Sequence, residues 1–160
     1  MGIMRLMDMN TTEWQQFAPY IDTLCIPISS FSLQEKQLNR LQAQRVEQIT
    51  KRFEKKLMGR VLLLPPISYV GKDSSVFLSY LNEVMTDLSQ LSFHYLILVI
   101  DGQYKYIEEV DLTHLSFMDS VVHMVPTIEA ELDEAAKEEM IDQEIMKLYN
   151  KTLKIWQTNI

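Results

Sequence analysis

Asp101 and Gly102 close an apolar run, Tyr95 to Ile100, while Ser29 and Ser30 follow another, Asp22 to Ile28. A carboxylate, hydroxyls and a glycine at the ends of buried strands are the groups from which open parallel sheets build small-molecule sites. In such sheets ligands sit beyond the carboxyl ends of the strands. Ser68 and Tyr69 follow a third run, Val61 to Leu64, after the pair Pro65 and Pro66. The candidate ligand-binding set at these ends is therefore Ser29, Ser30, Ser68, Tyr69, Asp101 and Gly102. Each also has a plainer role, since Asp-Gly is ordinary turn chemistry and two serines can simply lead into a helix.

No catalytic set accompanies these residues. His94, His114 and His123 lack short metal-ligand spacing, and two of them fall in strand patterns. A nucleophilic serine would need the Gly-x-Ser-x-Gly elbow, which is absent. With four glycines and no Gly-x-Gly-x-x-Gly or Walker loop, nucleotide phosphates have no glycine-lined cradle. Cys25, the single cysteine, lies between Leu24 and Ile26 and reads as a small buried hydrophobe. The sequence thus calls for no metal, no cofactor and no oxidising compartment.

The elements that must position the candidates follow from periodicity. Asn10 with Glu13 has capping-box spacing and opens a short helix with Trp14 and Phe17 inward, stopped by Pro19. Ser32 with Glu35 repeats that signal, with Phe31 as staple, and Leu38, Leu41, Val46, Ile49, Phe53 and Leu57 continue it as one helix to a stop at Gly59. Asp73 or Ser74 caps a third helix whose stripe is Val76, Phe77, Tyr80, Leu81, Val84, Leu88 and Leu91. Strands are expected at Asp22 to Ile28, Arg60 to Leu64, His94 to Ile100 and Asp119 to Val125. The second and third do not alternate, as in strands covered on both faces. Gln103 to Ile107 reads as a hairpin extension and Glu108 to Leu115 as an irregular excursion. Glu129 to Thr158 is helical, with a bend expected near Glu138 to Ile141. The fold class is α/β, a three-layer sandwich with a mostly parallel sheet of about four strands, in one domain spanning residues 1–160.

Net charge is −7 and unevenly spread. Residues 1–100 hold 10 basic and 9 acidic side chains, against 5 and 13 in residues 101–160, so the excess lies in the last third. Such a chain is repelled by phosphate backbones, which argues against nucleic acid. The basic cluster Lys51, Arg52, Lys55, Lys56 and Arg60 instead suits the negative end of a helix. Glu131, Glu134 and Glu138, on the acidic half of the last helix, make a candidate docking face for a basic protein partner. The longest apolar run is too short for a membrane span, which needs roughly 20 residues. No cleavable leader is apparent, so the cytoplasm is the expected location.

Tyr20-Ile21-Asp22-Thr23 leading to Ile26-Pro27, Gly59-Arg60-Val61-Leu62-Leu63-Leu64-Pro65-Pro66, and Tyr95-Leu96-Ile97-Leu98 together resemble the YpiF-like family of uncharacterised proteins from bacilli. The similarity spans most of the chain. That family has no assigned activity, so it implies no functional residues. The element order is also distantly similar to that of the creatininase amidohydrolases. Where that family places its first Glu and His, this chain has Ser29, Ser30, Phe31 and Ser32. Its Asn-Gly-His-Gly turn corresponds to Asp101-Gly102-Gln103-Tyr104, so only Asp22 and Asp101 remain as ligands. The echo implies an architecture that kept its core and lost its metal.

Two functions are expected from these features. One is a non-catalytic cytoplasmic interaction or assembly protein working through the acidic helix. The other is a creatininase-like hydrolase or small-molecule binder with its site at the strand ends.

Overall fold

In the computed structural model, which describes residues 4–57, 59–104, 110–127 and 132–158, the apolar runs become strands of one sheet. Helix α1 (Thr11–Phe17) precedes β1 (Thr23–Ser29), α2 (Leu41–Lys56) and β2 (Val61–Leu63). Then come β3 (Ile67–Ser68), α3 (Ser74–Ser89), β4 (Tyr95–Asp101), β5 (Asp119–Val125) and α4 (Glu134–Thr158). The order is β2-β1-β4-β5, with β3 pairing β1 beyond the end of β2. Every strand pairing among the described residues is parallel. Leu24 lies between Leu62 and Leu96, and Cys25 between Leu63 and Ile97. Met4 and Leu6 exchange backbone hydrogen bonds with Leu63 at 2.8 and 2.9 Å, closing the outer edge of β2.

Strand alternation divides the apolar residues between two cores. Cys25, Leu63, Ile97, Val99 and Val121 pack on one face against Val46, Ile49 and Phe53 of α2 and Ile141, Ile145, Leu148 and Trp156 of α4. Leu24, Ile26, Ile28, Leu96 and Leu98 pack on the other face against Phe77, Leu81 and Met85 of α3. Trp14 and Phe17 of α1 lean on that second core, and so do Val110, Leu112, Leu115 and Phe117. The stretch expected to be an irregular excursion therefore helps carry the chain across this face to the parallel strand β5. Gln103 and Tyr104 are in no strand, and residues 105–107 of the expected hairpin extension and 108–109 of the excursion lie outside the described residues.

Local signals held where no longer-range bond competed. Asn10 caps α1 as expected, accepting from the Glu13 N–H at 2.8 Å, with the Glu13 carboxylate returning at 3.4 Å to Asn10 N. Gly59 takes the left-handed φ of +92° that ends the α2 turn. The second expected cap is overturned. Ser32 and Asn39 exchange backbone hydrogen bonds at 2.8 Å, which folds residues 32–39 back on themselves. Glu35 sits at φ 55°. The helix therefore starts at Leu41, and Leu38 is exposed. The α3 stripe is narrower than expected: Phe77, Leu81 and Met85 are buried, whereas Val76, Tyr80 and Leu91 are exposed. At α4 one continuous helix replaces the expected bend, beginning at Glu134.

The amino end of the sheet is tied by polar groups. Arg60 Nε donates to both oxygens of Asp22 at 3.0 Å, and its guanidinium lies 3.8 Å from the centre of a Trp156 ring. The Trp156 indole N–H donates to Thr23 Oγ1 at 3.0 Å, and Thr23 Oγ1 in turn donates to Asp22 at 2.8 Å. This chain fixes the end of α4 over the start of β1. The revised α3 stripe makes a direct prediction for urea unfolding. Leu81→Ala should cost ~2–5 kcal/mol by opening a cavity, and Tyr80→Ala should stay within ~0.5 kcal/mol as a surface change.

Candidate functional site at the strand ends

Three prolines shape the carboxyl end of the sheet. Cys25 pairs with Leu63 and Ile28 with Ile67, so Leu64, Pro65 and Pro66 stand opposite only Ile26 and Pro27. That one-residue excess is a bulge. Leu64 N–H donates to Cys25 O at 2.9 Å, so the next ladder position needs an N–H at Pro27, which has none. A proline is tolerated in this central strand because the neighbouring strand leaves the sheet there. The bulge opens a cavity of about 390 Å3 between α2 and the ends of β1 and β2. Its wall is mostly apolar, from Pro27, Val46, Leu63, Pro65 and Pro66, with the hydroxyls of Ser29, Thr50 and Ser68.

The charges at the cavity are matched in pairs. Lys51 bonds Glu47 one helical turn back. Arg5 lies 3.9 Å from Asp8 and 3.3 Å from Glu54, a fully buried carboxylate that also accepts from Met4 N at 2.6 Å. Thr50 Oγ1 donates to Val46 O at 2.9 Å. Beneath the site, burial first and the Glu54 charge second push the Cys25 thiol far above its ordinary range, so it stays protonated.

The sequence-derived candidates divide into three groups. Ser29 and Ser68 reach the cavity. Ser30, Tyr69, Asp101 and Gly102 lie at the same end of the sheet but hold structure together. Buried Asp101 accepts from Ser30 Oγ at 2.8 Å and from Gln103 N at 3.0 Å. Gly102 N–H donates to Val125 O at 2.9 Å, and a Cβ there would stand 2.6 Å from that same oxygen. Tyr69 and Tyr104 each stack on Phe77, and the Tyr104 hydroxyl lies 3.0 Å from Ser29 O and 2.9 Å from Tyr69 O. This aromatic stack fills the space over the second core at the β1 end. Asp22 stands apart, before the first residue of β1. A seven-residue strand, roughly 20 Å long, separates it from Asp101. The two carboxylates left by the creatininase echo are therefore at opposite ends of the sheet. Among the described residues no three His, Cys, Asp or Glu side chains are grouped so as to hold a metal ion.

The acidic helix is partly committed within the molecule. Glu138 receives two hydrogen bonds from Arg52, at 2.8 and 3.2 Å, and this hydrogen bonding holds its carboxyl below the ordinary range. Glu134 lies 3.5 Å from Lys137, and Glu131 is outside the described residues.

One cluster escaped the sequence entirely. His123 of β5 and Glu144 of α4 are buried, with Nε2 2.6 Å from the Glu144 carboxylate. Lys151 Nζ is 2.9 Å from Nδ1 and has only protons to give, so Nδ1 accepts and Nε2–H donates to Glu144. Lys147 approaches the same carboxylate at 3.2 Å. The available signal was parity: His123 alternates with the inward Val121 and Val125, while Glu144 and Lys151 are seven apart on α4. Desolvation, then the Lys151 charge, pushes the imidazole below its ordinary 6.5, against the pull of Glu144. The unfolded chain therefore takes up this proton first. Its contribution to stability is complete above pH 6.5 and is lost as pH falls from there toward the folded-state value. Thermal unfolding should show a falling Tm on the acid side of pH 6.5 that His123→Gln flattens, whereas a decline beginning only in the carboxylate range, below about 5, would exclude His123 as the cause.

Fold and site together define an α/β protein with a mostly parallel sheet and a bulge-opened cavity at its strand ends. The chain belongs to the family described as "Protein of unknown function (DUF2487)", whose model matches residues 12–156. It is similar to the uncharacterized protein YpiF of Bacillus subtilis (strain 168), 22% identical over 156 residues covering 97% of this chain and 99% of that protein. The resemblance drawn from the strand sequences is thus borne out. No solved structure matches the chain.

Proposed function

We propose that this chain is a non-catalytic binding protein and that its site is the cavity between α2 and the carboxyl ends of β1 and β2. The single observation behind this reading is a cavity of about 390 Å3 at the place where parallel sheets bind ligands, within the roughly 300–1,000 Å3 of small-molecule sites. Its chemistry supports binding over turnover, because the carboxylates Asp8 and Glu47 at its rim are each held by a cation. Among the described residues no helix is long and apolar enough to cross a membrane, and a cytoplasmic setting belongs to the same proposal.

Amide NMR with small neutral probes tests the reading. Cyclohexanol and methoxycyclohexane should shift amides at Ser29, Val46 and Leu63, and Ala43→Phe, which fills the cavity from α2, should erase those shifts. Shifts scattered over the surface, or unchanged in Ala43→Phe, would overturn it.

A second reading, a basic partner docked on α4, is supported by Glu134, whose side chain is 92% exposed. Glu134→Lys with Glu139→Lys should weaken capture of an oligolysine peptide at least tenfold at low salt. Capture unchanged by the double substitution would remove the reading.

A further inference from the structure

The wall of the cavity is unusual in its hydrogen-bonding balance. Pro27, Pro65 and Pro66 bring carbonyls without N–H groups, and all three line the space together with Leu64. The Leu64 N–H is spent on Cys25 O at 2.9 Å, and the Leu64 carbonyl faces the ladder position occupied by the Pro27 ring nitrogen. Among the described residues Leu64, Pro65 and Pro66 accept no backbone hydrogen bond outside the regular ladders, and the ladders end at Leu63 and resume at Ile67. The Leu64 carbonyl thus stands at the cavity with no strand N–H to answer it. The cations that might have answered it, Arg5 and Lys51, are engaged by Asp8, Glu54 and Glu47. The rest of the lining is Met7, Ala43, Val46 and Leu63 with the hydroxyls of Ser29, Thr50 and Ser68, of which Thr50 is spent on Val46 O at 2.9 Å.

Resting on the proposed binding role of this cavity, we infer that its ligand is a neutral amphipathic small molecule carrying an O–H or N–H donor, which replaces the strand N–H missing at Pro27. An apolar body fills the space against α2, and the donor meets the Leu64 carbonyl. A charged head would find its rim partners already neutralised by one another. An acceptor-only molecule of similar size would leave the Leu64 carbonyl without a partner, a cost borne on every binding event.

Two probes that differ only in methylation of the oxygen separate this inference from the reading it rests on. In NMR titrations cyclohexanol, which donates, should bind about fivefold more tightly than methoxycyclohexane, which only accepts, as one net hydrogen bond implies. Both should be lost in Ala43→Phe. Pro27→Val returns an N–H to the ladder and should bring the two affinities within about twofold of each other. Equal affinities in the unaltered protein, with both lost in Ala43→Phe, would overturn the donor inference while leaving the cavity as the site. Binding of neither probe, or of both undiminished in Ala43→Phe, would overturn the site itself and the inference with it. The comparison in the unaltered protein decides the matter even where Pro27→Val does not fold.

Discussion

Strand β1 is hydrogen-bonded on both edges and covered on both faces, and all seven of its residues are buried. Away from the cavity at Pro27 and Ser29, its backbone is enclosed, so neighbouring strands must answer each N–H and carbonyl there. Pro27 breaks that obligation at one rung, and the molecule meets the break by bulging Leu64 to Pro66 away instead of leaving a donor or acceptor trapped between packed strands. The cavity is therefore a consequence of the sheet's own hydrogen-bond accounting, with α2 as its roof and the N-terminal segment as its outer wall.

Two buried charged groups fasten the layers around that sheet. Glu54 joins α2 to the N-terminal segment through Met4 N and Arg5, and Glu144 joins α4 to β5 through His123. Neither pair needs to add much stability in sum, because desolvation cancels most of the attraction. Removing one partner is another matter, since it strands a charge in the interior. Such groups act as position markers: an apolar helix could slide along a uniformly apolar face, but one carrying Glu144 has a single place where its carboxylate is satisfied.

Architecture was legible because it rests on short-range pattern. Runs of Leu, Ile and Val without alternation announced covered strands, and the 3.6-residue period found α2, α3 and α4. What misled was local chemistry outvoted by distant partners. Ser32 and Glu35 have the spacing of a cap, yet the Ser32 to Asn39 backbone pairing takes that stretch for a turn. Asp22 stood as a ligand only through the creatininase resemblance, and its real partner is Arg60 at the amino end of the sheet. The cavity was half legible, since Ser29 and Ser68 reach it. Its other side comes from Arg5 and Asp8, whose placement depends on a contact with Leu63 far along the chain. A stronger clue went unused: a proline inside an apolar run, with two more at the end of the next run, marks two strands that part company.

The position of β1 in the chain also governs how the molecule is made. Its partners lie at residues 61–63, 67–68 and 95–101, so a segment that emerges early from the ribosome must wait for most of the protein before both of its edges are occupied. During that interval the nascent chain holds a strand of Leu24, Cys25, Ile26 and Ile28 with an open edge, the form most prone to stick to a neighbour. Pro27 sits in its middle, and a strand that cannot donate at its centre is a poor template for the cross-strand growth of aggregates. The residue that costs the finished sheet one rung also guards the strand while the sheet is unfinished.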